Sequence, residues 1–203
     1  MRVIAGALRG RRLVAPNDGT RPTTDRVKES IFGVVESILS RVTPNAEFGT
    51  SEVWENLRVF DLCAGSGALG IEALSRGAES ARFVETRPAA IATIRQNLRN
   101  LDLASRSIVE QGDARHAGLG LRVNPALVFL DSPYEDDATP YIQAVESAIS
   151  VGPDALVVVE HAHGANLPST LGTLRLMRTR HFGATAVSIF GRGVFAETGV
   201  EDS

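Results

Sequence analysis

Residues 58–70 read RVFDLCAGSGALG, an apolar segment that contains an acid and runs into three glycines. Gly65, Gly67 and Gly70 have the spacing G-x-G-x-x-G, and a helical pattern continues to residue 76. Glycines between a strand and a helix allow a sharp turn and a close approach by a ligand, because no Cβ stands in the way. The stretch therefore predicts the first strand–turn–helix unit of an open α/β fold.

Strand and helix signals alternate through the rest of the chain. Strand-like segments occur at 58–64, 81–85, 107–113, 126–131 and 155–161, and helical segments at 68–76, 88–100 and 139–150. This alternation predicts a parallel sheet with helices on both faces. Residues 174–182 and 185–192 are separated by only two residues, too few for a crossover helix, and predict a closing antiparallel hairpin. We therefore expect a Rossmann-like fold with a seven-stranded, mostly parallel sheet.

The N-terminal end of the chain carries an excess of basic charge. Residues 1–28 contain seven basic groups and two acids, whereas the whole chain has a net charge of −3. This asymmetry favours contact with a polyanion, with a solvated basic face as the alternative. Strand-like runs at 2–5 and 11–15 predict a small hairpin. A helix follows, for which Thr23, Thr24 and Asp25 are candidate caps.

Composition and patterning also predict the organisation of the chain and its compartment. We expect a basic hairpin and helix over 1–39, a polar linker over 40–57, the α/β domain over 58–195 and a tail over 196–203. No apolar run reaches the roughly 20 residues of a membrane span, and the N-terminus lacks a signal-peptide core. The single cysteine excludes an intrachain disulfide, and the histidines form no metal-ligand pattern. These features predict a cytoplasmic protein without a metal site.

Three acids around the glycine turn bear on the choice between two cofactors. Glu85 lies twenty residues after Gly65, at a predicted strand end, where a carboxylate can accept both hydroxyls of a ribose. A nicotinamide dinucleotide would place its pyrophosphate at the helix N-terminus, where Asp61 would repel it. The same carboxylate suits the ammonium group of S-adenosylmethionine, and Asp113 can accept a hydrogen bond from an adenine amino group. The pattern favours S-adenosylmethionine and leaves the dinucleotide as the alternative.

The fourth predicted strand ends in Asp131-Ser132-Pro133-Tyr134, and it would lie beside the first strand, where ligands bind in such sheets. The Asp131 carboxylate and the Ser132 carbonyl can accept both N–H groups of a planar exocyclic amine and direct its lone pair at a methyl group. Pro133 stiffens the turn, and Tyr134 offers a ring face to an unstacked base. This chemistry predicts amine methylation but leaves open guanine N2, adenine N6, cytosine N4 or a glutamine amide.

The glycine loop, this tetrapeptide and two N-terminal segments, MRVIAGALRGRRL and RPTTDRVKESIF, resemble the RsmD family of class I methyltransferases. The resemblance extends from residue 1 to about residue 192. It implies that a guanine N2 amine in 16S rRNA is methylated within the assembled or assembling 30S particle, with S-adenosylmethionine as donor. The N-terminal part would then recognise RNA, and we expect a monomer without membrane contact.

The resemblance also implies roles for individual residues. The catalytic set is Asp131, Ser132, Pro133 and Tyr134, and Ser132 replaces a proline that is usual in the family. The expected cofactor-binding set is Asp61, Cys63, Ala64, Gly65, Gly67, Glu85, Asp113 and Ala114. The expected RNA-binding set is Arg9, Arg11, Arg12, Arg21, Thr23 and Arg26. The remaining alternatives are an amino methyltransferase for DNA or another RNA base, an NAD(P)-binding oxidoreductase and a non-catalytic RNA-binding module.

Overall fold

A computed structural model describes residues 1–16, 24–116, 126–131, 139–149, 154–165 and 167–198. Its helices are α1 (Asp25–Val42), α2 (Ala68–Arg76), α3 (Pro88–Asn100) and α4 (Thr139–Ile149). Its strands are β1 (Arg58–Leu62), β2 (Ser80–Glu85), β3 (Ser107–Gln111), β4 (Ala126–Asp131), β5 (Ala155–Ala162), β6 (Thr170–Leu171), β7 (Leu174–Phe182) and β8 (Thr185–Arg192). The predicted bounds of α2, α3, β4, β7 and β8 are confirmed, and those of α4, β1, β2, β3 and β5 differ by at most two residues.

The helix ends follow local signals in the sequence. The Thr24 hydroxyl accepts a hydrogen bond from the Val27 amide at 3.3 Å and so caps α1. Pro88 occupies the start of α3, where a missing amide hydrogen costs nothing. Gly77 ends α2 with a φ of 126°, which residues with a side chain rarely adopt. Within the described residues, no helix combines the length and the hydropathy that a membrane crossing requires.

Eight strands form one sheet in the described part of the chain, in the order β3-β2-β1-β4-β5-β8-β7-β6. Strands β1 to β5 pair in parallel, β8 pairs antiparallel with β5, and β7 pairs antiparallel with β8. The predicted Rossmann-like fold with a mostly parallel sheet and a closing antiparallel hairpin is confirmed. The described sheet has one strand more than the predicted seven, because β6 is a two-residue strand with no sequence pattern of its own. The strand order reverses between β1 and β4, so the ligand-binding switch point of a Rossmann-like sheet lies at their carboxyl ends.

The core forms one layer on each face of the sheet. Helix α4 covers one face, and α1, α2 and α3 lie in the layer on the other. Residues 40–57, which we expected to be a polar linker, instead contribute to the second layer through Trp54, which is fully buried. Its ring lies 5.7 Å from that of Phe32, which lies 5.4 Å from that of Phe129 in β4. These tilted ring contacts join α1 to the sheet. An RNA-recognition role for residues 1–39 stays a prediction.

The predicted small N-terminal hairpin is confirmed in a shorter form: an antiparallel bridge joins Arg2 to Arg12, and three backbone hydrogen bonds join residues 1–3 to 10–13. Helix α2 also holds this segment. The buried Glu72 carboxylate accepts the amides of Ile4 and Ala5 at 2.8 and 2.9 Å. A Cβ at Gly6 would lie 1.9 Å from a backbone oxygen of α2, so only glycine permits this close approach.

We expect Glu72→Gln to lower the free energy of unfolding by about 3 kcal/mol, because a glutamine has one acceptor oxygen for two buried amides. It also removes the carboxylate that Arg76 contacts at 3.2 Å. The matched control is Glu79→Gln, which removes an exposed pair with Arg58 and should cost less than about 0.5 kcal/mol. Urea denaturation measures both variants. Equal losses in the two would contradict the role given to Glu72.

Candidate active site

The chain between β1 and α2 forms a turn with unusual backbone angles. The φ angles are 58° at Cys63, 56° at Gly65 and 77° at Gly67. The Gly67 amide donates to the Ala64 carbonyl at 2.7 Å, and the Ala64 amide donates to Val84 of β2 at 3.1 Å. A Cβ at Gly65 would meet nothing within 4 Å, so the backbone here faces open space. A ligand can therefore approach the turn at Gly65.

The third glycine of the motif has a different physical reason. A Cβ at Gly70 would lie 2.4 Å from the Phe83 ring. Phe83 is fully buried in β2, so a side chain at Gly70 would push α2 away from the sheet. Gly70 therefore allows close packing of helix on sheet, whereas Gly65 leaves room for a ligand.

Glu85 ends β2 and holds the glycine turn. Its buried carboxylate accepts the Gly65 amide at 2.8 Å, the Thr86 amide at 2.9 Å and the Arg87 amide at 3.0 Å. The Arg87 guanidinium also contacts it at 3.1 Å. Burial raises the pKa of Glu85, but the hydrogen bonds from Arg87 and Gly65 outweigh it and leave the pKa below its ordinary value. An ionised carboxylate thus lies beside the open space at Gly65, and its role toward a ribose stays a prediction.

Asp61 lies inside the sheet, four residues before Gly65, with a relative exposure of 1%. One carboxyl oxygen accepts the Gly70 amide at 2.8 Å, which anchors the first turn of α2. Burial raises the pKa of Asp61 to about 7; the Gly70 hydrogen bond opposes this shift and the charge of Glu85 adds to it. Among the described residues, the second oxygen has no hydrogen-bond partner. A cation at that oxygen would favour the ionised form.

The predicted acids converge on Cys63. Burial and, in decreasing order, the charges of Glu85, Asp131, Asp61 and Asp113 together raise the pKa of the Cys63 thiol to about 12. A thiol with this pKa is protonated at neutral pH, so Cys63 is a poor nucleophile. Four carboxyl groups from four parallel strands or their ends are therefore close enough to act on one atom. Negative potential at this edge of the sheet suits a cationic ligand.

Asp131 is the last residue of β4 and follows Leu130, which pairs with Leu62 of β1. It therefore lies beside the start of the glycine turn. Across the next strand pair its register partner is Glu160 of β5. The structure thus places this predicted catalytic acid at the switch point. The other members of the predicted catalytic set, Ser132, Pro133 and Tyr134, lie outside the described residues.

Asp113 follows β3 and forms an ion pair with Arg115, which the sequence analysis did not predict. Its carboxylate accepts the Arg115 amide at 2.9 Å and contacts the Arg115 guanidinium at 2.6 Å. The hydrogen bond from the Arg115 side chain lowers the pKa of Asp113 to about 2. The guanidinium carbon also lies 5.3 Å from the ring centre of Tyr141, and the neighbouring Ala114 is buried. An adenine amino group would have to share Asp113 with Arg115.

The predicted RNA-binding residues differ in their surroundings. Arg9, Arg12 and Arg26 are exposed on the surface of the N-terminal region. Arg11 is also exposed, but its guanidinium donates to the Asn100 carbonyl at the end of α3, at 2.8 Å. Arg11 therefore has a structural contact that the sequence did not indicate. Arg21 and Thr23 lie outside the described residues.

Asn97 connects the N-terminal segment to the glycine turn, and sequence reasoning missed it. Its side-chain amide donates to the carbonyls of Val14 and Ser66, each at 3.0 Å. Its oxygen accepts the Val14 amide at 2.8 Å. The residue is 1% exposed and its bond to Ser66 is buried, whereas the two bonds to Val14 are partly buried. A polar residue on the buried face of α3 was the available signal, but its partners lie 83 and 31 positions away.

A family model described as "Conserved hypothetical protein 95" matches residues 1–191. The chain belongs to this family. One relative is the Ribosomal RNA small subunit methyltransferase D of Escherichia coli (strain K12), and the match covers 93% of that protein. The RsmD family predicted from the motifs is thereby confirmed. That relative is 30% identical to this chain over 201 residues, which make up 98% of this chain.

Two further comparisons agree with RsmD-family membership. The protein YlbH of Bacillus subtilis (strain 168) is 37% identical over 195 residues, which cover 94% of this chain and 98% of YlbH. The solved structure of yhhF from Escherichia coli superposes with a TM-score of 0.72 at 32% identity. The match covers 96% of this chain and 98% of that chain. The likeness to these relatives therefore includes the N-terminal segment as well as the sheet.

The raised pKa of Asp61 predicts a pH dependence of stability. Its pKa is about 7 in the folded state against 3.8 ordinarily, so the folded state binds more protons between these values. The free energy of unfolding should therefore fall by about 2 kcal/mol between roughly pH 5 and pH 7 on account of this group. Glu85 and Asp113, whose pKa values are lowered, act in the opposite direction at lower pH.

Asp61→Asn should remove this fall, because an asparagine keeps an acceptor for Gly70 and carries no charge. The measurement is urea denaturation of the wild type and the variant at several pH values in this range. The difference between the two curves isolates Asp61 from the other acids. Parallel curves would show that Asp61 titrates normally.

Proposed function

We propose that this protein transfers a methyl group from S-adenosylmethionine to the N2 amine of a guanine in 16S rRNA. The observation that carries the proposal is Asp131 at the end of β4, beside the glycine turn that follows β1. RsmD-family membership supports ribosomal RNA as the substrate. The choice of guanine N2 rests on the family resemblance, because the acid alone suits any exocyclic amine.

The residues around the turn fit S-adenosylmethionine, which supplies an electrophilic methyl group when bound. Glu85 is ionised and lies next to the open space at Gly65, as a ribose acceptor should. Asp61 can bind an ammonium group through its second oxygen. A pyrophosphate would instead meet the negative potential of these acids and of Asp131, which disfavours a nicotinamide dinucleotide.

The chain's own residues would overcome the weak nucleophilicity of the amine. The lone pair of an exocyclic amine is delocalised into its ring. A hydrogen bond from the amine to Asp131 favours a pyramidal nitrogen and aims the lone pair. After transfer the nitrogen carries an extra proton, which Asp131 can accept. In this proposal the Ser132 carbonyl is the second acceptor, Pro133 stiffens the turn and Tyr134 stacks on the base.

The substrate particle, the oligomeric state and the compartment belong to the same proposal. We infer that the protein acts as a cytoplasmic monomer on assembled or assembling 30S particles. The basic N-terminal segment supports a contact with rRNA, because its exposed arginines can pair with phosphates. Asn97 links this segment to Ser66 in the glycine turn, so the RNA-contacting part and the cofactor part are in direct hydrogen-bonded contact.

Asp131→Asn tests the mechanism. With labelled S-adenosylmethionine and undermethylated 30S particles, kcat should fall by about 100- to 1,000-fold, because an amide accepts the amine proton poorly. Binding of S-adenosylhomocysteine, measured by calorimetry, should stay within about twofold. The matched control is Asp154→Asn, next to the start of β5 at the opposite edge of the sheet. The asparagine side-chain oxygen can still accept the hydrogen bond from the Val194 backbone N–H. Wild-type kcat in Asp131→Asn would refute the mechanism, and label on adenine would refute the base assignment.

Arg9→Gln combined with Arg12→Gln tests the N-terminal contact. We expect KM for 30S particles to rise by about tenfold, because two phosphate contacts are lost, while S-adenosylhomocysteine binds as before. Arg11 is left intact because its bond to Asn100 stabilises the fold. The control is Arg58→Gln with Arg175→Gln, at the starts of β1 and β7, away from the carboxyl ends. Loss of cofactor binding together with RNA binding would indicate misfolding instead.

A further inference from the structure

The C-terminal hairpin carries positive charge that the proposed function has not used. Residues 174–192 contain four arginines and no acid, in a chain whose net charge is −3. The four are Arg175, Arg178, Arg180 and Arg192. Such a local excess of one sign needs either solvent or an anionic partner.

Topology brings part of this charge to the proposed catalytic edge. Strand β8 is antiparallel to β5, and β7 is antiparallel to β8, so β7 runs in the same direction as β4 and β5. Ala162 pairs with Thr185, which pairs with Phe182, so the end of β7 lies level with the end of β5. Arg178 and Arg180 therefore lie near the edge at which β4 ends in Asp131.

The distance suits a nucleic acid strand that also reaches Asp131. Strand β7 is three strand spacings from β4, or about 14 Å at roughly 4.8 Å per spacing. This corresponds to about four nucleotides at the stacked rise of roughly 3.4 Å. One strand could thus place a base at Asp131 and its neighbouring phosphates at β7.

A groove of about 240 Å³ lies between α1 and β7, and Arg178 and Arg180 line it. Arg180 donates to the Ser30 hydroxyl at 3.3 Å. The Arg178 guanidinium has no ion-pair or hydrogen-bond partner among the residues that the structure describes. Glu29 is the acid in the lining, and it forms no ion pair with either arginine in the described structure.

The α1 side of the groove combines small polar residues with the apolar side chains of Val34 and Ile38. Ser30, Gly33 and Ser37 line it on one face of the helix. A Cβ at Gly33 would meet nothing within 4 Å, so packing does not require glycine there, although glycine costs a helix about 1 kcal/mol. The missing side chain keeps the groove open, and the flanking hydroxyls can donate to anionic oxygens.

We propose that this groove binds the phosphate backbone of the rRNA strand beside the target nucleotide, which rests on the proposed function. Guanidinium groups pair with phosphate oxygens in a bidentate manner, and serine hydroxyls add further donors. A phosphate backbone is favoured over a peptide because two guanidinium groups line the groove. In addition, the roughly 14 Å between β7 and β4 matches a nucleic acid strand of about four nucleotides. The exposed Arg26 in the first turn of α1 extends the same basic surface. The substrate is then held on two sides of the active site.

Arg178→Gln combined with Arg180→Gln tests the groove, since glutamine keeps most of the side-chain length. We expect KM for 30S particles to rise by about tenfold, with kcat and S-adenosylhomocysteine binding within about twofold. The slope of log(kcat/KM) against log salt concentration should become shallower by about 1.5, from two lost phosphate contacts. Arg58→Gln with Arg175→Gln removes the same charge from the opposite edge of the sheet. This control should change neither KM for 30S particles nor the salt slope by more than about twofold.

Binding and folding measurements separate the possible outcomes. Fluorescence anisotropy with labelled 16S rRNA fragments decides the groove even if the wild type methylates no rRNA, a result that would refute the proposed function alone. Equal RNA affinity and equal salt slope in the groove variant and the control would overturn the inference. Thermal unfolding of both variants checks that any loss is local. Displacement of RNA from the wild type by an acidic peptide at comparable concentration would also overturn it, because the groove would then not prefer phosphates.

Discussion

The hydrogen bond from the Gly65 amide to the buried Glu85 carboxylate is the contact on which the site depends. It joins the ends of two neighbouring strands and holds a turn whose backbone angles are unfavourable for most residues. Asp61 does the same for the next segment, because it accepts the Gly70 amide at the start of α2. Both acids satisfy backbone donors inside the fold, and Glu85 also lies beside the open space at Gly65. Their structural and proposed binding roles are therefore inseparable.

Side chains that accept hydrogen bonds from backbone amides also attach the N-terminal segment to the α/β domain. Glu72 holds Ile4 and Ala5 against α2, and Asn97 holds Val14 against α3. Because Asn97 also contacts Ser66, a displacement of the N-terminal segment reaches the glycine turn through one side chain. The basic surface is thus built on the same frame as the cofactor turn. This arrangement suits an enzyme that must align a bulky substrate with a small donor.

The elements with strong local signals could be predicted from the sequence. Helix α3 begins at Pro88 and has a regular apolar face, and β4 is a continuous apolar run that ends in Asp131. The N-terminal hairpin was predicted with longer strands than it has, because Ile4 and Ala5 donate to Glu72, which is distant in sequence, instead of extending the strand pairing. Trp54 was assigned to a linker because its neighbours are polar, although its ring fills the space between α1 and α2. Local patterns are informative only where local forces dominate.

The sequence by itself determined the fold class, the family motifs and the acids at the strand ends, because strand period and glycine spacing are local properties of the chain. Only the tertiary structure decided how those acids are used. It paired Asp113 with Arg115, raised the pKa of Asp61 by burial and brought Arg178 and Arg180 of β7 to the edge where β4 ends. Such facts depend on which strands become neighbours and how deeply each group is buried. The neighbours of each strand and the burial of each group are defined only once the sheet has formed.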